Sequence, residues 1–126
     1  EGMSKKILVV DDEPNIIFSL EFLLQREGYQ VAAAANGEEA LRQITEFQPD
    51  MILLDVMLPK KNGFEVCQEI RCNPAWSSIK IVMLTAKGLD TEMQKGLALG
   101  ADAYMTKPFS TMELMALVRK LLEMGE

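Results

Sequence analysis

Histidine is missing altogether from this 126-residue chain. Its absence excludes histidine-based nucleophilic triads, imidazole metal ligands and the commonest general base. The chain therefore cannot carry a phosphohistidine itself, and any histidine in its chemistry would have to come from a partner. Positive charge is scarce too: 13 Lys and Arg against 19 Asp and Glu leave a net charge of −6. Phosphate backbones are held by clustered Lys and Arg, so this domain is not expected to contact nucleic acid. Long apolar runs are also lacking. None approaches the roughly 20 residues of a membrane span, and no secretory signal is visible. Cysteine is limited to Cys67 and Cys72, five apart in a helical stretch, a spacing that fits no redox or zinc motif. The two read as reduced thiols of a cytoplasmic protein.

Apolar residues, at 48%, are numerous enough for one well-buried domain. Glu1-Gly2 ahead of Met3 reads as a cloning remnant, so a single domain is expected over residues 3–124. Short continuous apolar runs separated by helical stretches suggest strands buried on both faces. The runs fall at 6–10, at 31–34 (weakly), at 51–54, at 79–84 and at 103–106. Pro14 suits a helix's first turn, and Ile16, Leu20, Leu23 and Leu24 share one face before Gly28 stops it. Asn36-Gly37 is expected to turn the chain, followed by a helix with a stripe at Ala40, Leu41, Ile44 and Phe47. Phe64, Cys67 and Ile70 mark a third helix; a loop at 86–90 and a short helix to Leu99 come next. Ser110 caps the last helix, with Glu113 completing a capping box. Strands alternating with helices predict an α/β fold. It is a doubly wound five-stranded parallel sheet of flavodoxin-like order 2-1-3-4-5, with helices on both faces.

That order makes strands one and three neighbours and brings polar residues to one edge. The first run ends on Asp11-Asp12, the third on Asp55, the fourth on Thr85 and the fifth on Lys107-Pro108. Open α/β sheets bind ligands at this carboxyl edge. Two unit charges about 4 Å apart near a surface repel by about 4 kcal/mol at an effective dielectric of 20. Three carboxylates there need protons or countercharge. Lys107 supplies one positive charge, and an all-oxygen, histidine-free site suits Mg²⁺. A carboxylate beside Mg²⁺ can attack phosphorus and form an aspartyl phosphate. Lys107 and the Thr85 hydroxyl would then serve the phosphoryl oxygens.

The segments Ile7-Leu8-Val9-Val10-Asp11-Asp12-Glu13, Asp55-Val56-Met57-Leu58-Pro59 with Gly63, Leu84-Thr85-Ala86, and Gly100 through Phe109 carry a resemblance. In them the chain resembles the receiver domain of two-component response regulators, from about Lys5 to Leu122. The resemblance implies that Asp55 accepts a phosphoryl group from the phosphohistidine of a sensor histidine kinase or phosphotransfer protein. It implies Mg²⁺ held directly by Asp12, Asp55 and the Met57 carbonyl, and by Asp11 through water. Lys107 and Thr85 would contact the phosphoryl group, and Tyr104 would be the switch aromatic that follows Thr85. The Lys107-Pro108 bond is expected to be cis.

Such a domain catalyses its own phosphorylation and slow dephosphorylation without being a turnover enzyme. It signals to a downstream output domain or effector, through the face formed by helix 4, strand 5 and helix 5. A homodimer formed on phosphorylation is a further implication, although Leu117 stands where the transcription-factor branch usually has an arginine. Rival readings are weaker. A phosphatase of the haloacid-dehalogenase class wants an aspartate two residues after the nucleophile, where this chain has Met57. A nucleotide or flavin binder wants a Gly/Ser/Thr-rich loop where Asp11-Asp12-Glu13 stands. A degenerate receiver serving only as a protein-interaction module would not need the full residue set. The kinase, the output, and whether the chain stands alone or heads a longer protein are open.

Overall fold

The computed structural model describes residues 4–86, 94–95 and 97–124. Five strands, β1 (Lys6–Val10), β2 (Gln30–Ala34), β3 (Met51–Asp55), β4 (Lys80–Ala86) and β5 (Ala103–Lys107), form one sheet. Their order is β2-β1-β3-β4-β5, and every neighbouring pair is parallel. The fold is the one expected.

Period-two alternation divides the central strands between two apolar layers. Leu8, Val10, Ile52, Leu54, Ile81 and Met83 face one layer, which takes Ala40 and Ile44 from α2 (Gly37–Phe47) and Val66, Cys67 and Ile70 from α3 (Gly63–Cys72). Ile7, Val9, Met51, Leu53, Val82 and Leu84 face the other. There they meet Leu20 and Leu24 of α1 (Pro14–Arg26) and Leu114, Val118, Leu121 and Leu122 of α4 (Thr111–Met124). Strands buried on both sides explain why their sequences are continuously apolar rather than alternating.

Helix ends follow local chemistry. Pro14 opens α1, and the chain leaves it at Gly28 with φ of 97°, a conformation that glycine adopts without steric cost. The expected turn at Asn36-Gly37 is instead a helix start. The Asn36 side chain accepts from the Glu39 N–H at 2.9 Å, Glu39 Oε1 accepts from the Ala35 N–H at 2.8 Å, and Gly37 is already helical. Asparagine serves tight turns and N-caps alike, so the dipeptide does not distinguish them. At α4 the Glu113 N–H donates to Ser110 Oγ at 3.3 Å, one half of the box expected there. Trp76 lies in a 3₁₀ turn, Pro74–Trp76, and is half-buried.

β4 and β5 run to Ala86 and Lys107, farther than their apolar patterns suggest. The expected loop lies outside the described residues beyond Ala86, and the expected helix to Leu99 lies partly outside them; 94–95 and 97–98 are helical. Its carboxyl end is tied to α3: Arg71 Nε donates to Gly100 O and Nη2 to Asp102 Oδ2, both at 2.8 Å. The Ile81 N–H donates to the same Asp102 oxygen at 2.8 Å, which fixes the approach to β5. Cys67 is buried, Cys72 is exposed, and both are free thiols. Among the described residues no helix is long and apolar enough to cross a membrane.

Candidate functional site

Parallel register delivers the polar residues to one edge. Val10 pairs with Leu54, so Asp11 and Asp55 each come next along adjacent strands. Asp55 pairs with Leu84, one step before Thr85, and Ala86 pairs with Lys107. Carboxylate oxygens of Asp11, Asp12 and Asp55 all lie within 4.8 Å of one another. Asp11 and Asp55 are buried and Asp12 is exposed.

Lys107 bridges the two buried acids. Its Nζ donates to Asp11 Oδ2 at 2.9 Å and stands 3.5 Å from Asp55 Oδ1. The Lys107-Pro108 bond is cis, as the resemblance implied. The other Asp11 oxygen accepts from the Glu13 N–H at 2.9 Å, so both oxygens of Asp11 are engaged by the protein. The Met57 N–H donates to Asp55 Oδ1 at 3.3 Å. Asp12, by contrast, turns toward solvent beside the same cluster. That division suits an outer role for Asp11 and a direct one for Asp12 toward a hard cation.

The electrostatics are unbalanced. Burial pushes the Asp55 carboxyl above its ordinary range; the Lys107 ammonium pulls it back and Asp11 pushes it up again, with a net rise. Burial also opposes charge on Lys107, but the hydrogen bond to Asp11 and the nearness of Asp55 outweigh it, and its pKa is raised. Among the described residues one ammonium, that of Lys107, is bonded into a cluster of three carboxylates, and a divalent cation would complete the balance. The donor set fits one. It is all oxygen, acidic and partly open to solvent, as Mg²⁺ prefers.

Thr85 supplies a separate sign. Its hydroxyl is buried and has no hydrogen-bond partner among the described residues. Leaving a buried donor unsatisfied costs about 1–3 kcal/mol, so the position asks for an incoming acceptor. Tyr104 pairs with Met83 two steps before Thr106, the partner of Thr85. Side chains two apart share a sheet face, so Tyr104 lies on the Thr85 side of β5, about a third exposed at 36%.

The cluster opens into a cavity of about 690 Å³, with Asp12, Asp55 and Lys107 along it and Ile16, Met57 and Phe109 around it. Gly63 draws α3 close behind: a Cβ there would stand 2.5 Å from the Asp55 carbonyl oxygen. A capping box between Asn62 and Glu65 fixes that helix start. The Asn-x-x-Glu spacing was a readable signal for it. The Lys107–Asp11 bond had no such signal, because 96 residues separate the partners.

The family model for the response regulator receiver domain matches residues 7–119. The alkaline phosphatase synthesis transcriptional regulatory protein PhoP of Bacillus subtilis (strain 168) is 50% identical over 124 residues. That match takes in 98% of this chain and 51% of the relative, so the chain spans about half the relative's length. Among solved structures, a candidate response regulator from Chloroflexus aurantiacus J-10-fl superposes with a TM-score of 0.92 at 38% identity, covering 96% of this chain and 99% of that one. Chemotaxis protein CheY4 of Vibrio cholerae gives 0.88 at 33% identity, covering 94% and 99%.

Proposed function

This chain belongs to the response regulator receiver domain family of two-component systems, and from that membership we propose that it is a phospho-accepting switch with Asp55 as acceptor. The donor is the phosphohistidine of a sensor histidine kinase or phosphotransfer protein. A carboxylate oxygen of Asp55 attacks phosphorus, an O–P bond forms, and the N–P bond to the donor imidazole breaks with its electron pair staying on nitrogen. Asp55 Oδ1 is held by the Met57 N–H and faced by Lys107, which leaves Oδ2 as the oxygen presented to phosphorus.

Asp12, Asp55 and the Met57 carbonyl, with Asp11 through water, would hold Mg²⁺, which would supply countercharge for the phosphoryl oxygens. Lys107 holds a further phosphoryl oxygen while keeping its bond to Asp11. The Thr85 hydroxyl donates to another and so gains the partner it lacks among the described residues. The observation that carries this reading is that buried hydroxyl, unpartnered among the described residues and one strand away from a carboxylate pair bridged by Lys107.

The protein turns over no external substrate: it catalyses its own phosphorylation and loses the group slowly to water. Once phosphorylated, Thr85 and Tyr104 change state together and alter the face that includes β5 and α4. The reader of that change is an output domain or effector, and a homodimer through that face is one form of output. The setting we infer is the cytoplasm.

Incubation with a small acyl phosphate and Mg²⁺, followed by intact mass measurement, tests the acceptor. One phosphoryl group is expected on the wild type and none on Asp55→Asn. A variant that still takes up one group stoichiometrically would reassign the acceptor.

A further inference from the structure

We propose that Gly37 is a positioning residue for the loop after Asp55. With no side chain there, Lys61 can rest on the first turn of α2, and this sets where the Met57 backbone stands beside Asp55. The inference rests on the reading of Asp55 as acceptor. Gly37 lies outside that site and bonds to none of its residues.

The contact is backbone against backbone. A Cβ on Gly37 would overlap the Lys61 carbonyl oxygen and lie 2.7 Å from its carbonyl carbon and Cβ. No real Cβ tolerates that approach, and a carbonyl cannot swing aside as the end of a flexible side chain can. Gly37 is an ordinary helical residue, so nothing in its own conformation requires glycine, and helix propensity argues against it. The reason for glycine is the neighbour.

One of the two elements must yield, and α2 is the stiffer. Its start is fixed by the Asn36 cap and the Glu39 bond to Ala35. Ala40 and Ile44 are locked in the core. Just before it, the Asp11 N–H donates to Ala34 O at 3.1 Å. Residues 56–62 form an arch instead. Its feet meet where the Gly63 N–H donates to Val56 O at 3.0 Å, and the Val56 N–H donates to Leu84 O at 3.1 Å. Its crown is Lys60, with φ of 67°, and Lys61. An arch with joined feet passes a push on its crown into the limb between, and that limb carries Met57. The exposed Lys60–Glu38 pair at 3.9 Å adds little to the contact.

The test compares wild type with Gly37→Ala and with Glu38→Ala, which removes the ion pair and leaves the backbone contact intact. In metal-free protein, Gly37→Ala is expected to move the Met57 amide resonance and to speed tryptic cleavage after Lys60 or Lys61. In a Mg²⁺ titration followed by amide shifts, its half-saturation point should rise roughly tenfold, as displaced ligand supports typically produce. Glu38→Ala should match wild type in all three. An Ile44→Val variant serves as the stability control: it lowers the melting temperature without moving the titration. Lys61→Gly removes the facing Cβ and frees the carbonyl, so adding it to Gly37→Ala should recover part of the Mg²⁺ affinity. If Gly37→Ala does not fold, Lys61→Gly alone should move the Met57 amide. An unmoved Met57 amide in whichever of these variants folds would overturn the proposal. A wild type that ignores Mg²⁺ would instead sink the metal assignment, and the metal-free measurements would still decide the role of Gly37.

Discussion

Replacing Asp55 with asparagine should stabilise the metal-free protein, although it deletes the residue on which the proposed function turns. The side chain keeps its shape and loses its charge. Asp55 stands within 4.8 Å of carboxylate oxygens from both Asp11 and Asp12, and 3.5 Å from the Lys107 ammonium. At an effective dielectric of 20, each like-charge pair at that separation costs roughly 3.5 kcal/mol, and the lysine returns roughly 4.7 kcal/mol. The balance is about 2 kcal/mol against an ionised Asp55, before the cost of burying it. Solvent around exposed Asp12 screens part of this, which leaves about 1–2 kcal/mol. For a chain of this length, that raises the melting temperature by roughly 3–8 °C.

The assay is thermal or urea unfolding in a chelator at neutral pH. Dependence on pH supplies the sign. Folding raises the Asp55 pKa, chiefly by burial. Its stabilising contribution is thus complete below the ordinary aspartate pKa of about 3.9 and is lost as pH rises through the higher folded value. The advantage of Asp55→Asn should therefore be small in acid and grow toward neutral pH. Added Mg²⁺ at ten times its Kd should return about 1.4 kcal/mol to the wild type and narrow the gap. An Asp55→Asn protein that is less stable than wild type in chelator at neutral pH would refute the electrostatic account.

Thr85→Val removes a buried hydroxyl that has no partner among the described residues, so the protein should gain about 1–3 kcal/mol in unfolding free energy, while the rate of phosphorylation by an acyl phosphate falls. Lys107→Met should abolish detectable phosphorylation and cost about 3–5 kcal/mol, because Asp11 would be left buried without its ion pair; equal stability to wild type in urea would count against the bridge. Gly63→Ala presses a methyl group against the Asp55 carbonyl oxygen, and a cost of about 1–3 kcal/mol is expected from that overpacking, read from the shift in urea midpoint.

The central strands were legible because burial on two faces leaves an unbroken apolar run, and β1 begins and ends where its pattern does. Strand ends were not. Thr85 and Lys107 continue their ladders although they are polar, because backbone pairing does not depend on the side chain. Asn36-Gly37 misled because asparagine caps helices with the same side-chain oxygen that it offers to turns. The membership of the acidic cluster could be read once strand order placed β1 beside β3. Its internal wiring could not: that Lys107 prefers Asp11 to Asp55, and that Thr85 has no partner among the described residues, depend on ångström-scale placement. The crowding at Gly37 and Gly63 was hidden for the same reason, since a glycine does not announce what lies against it.

The sheet's two-sided burial has a consequence for how the acidic edge can change. In β1, β3 and β4 alternate side chains enter opposite layers, so sliding any strand by one residue would swap the contents of both layers. Hydrophobic matching deep in the molecule therefore aims the strand tips, and the charged groups there contribute little to their own placement. Such an edge can be stripped of its acids, or given others, while the scaffold beneath continues to hold the same positions in space.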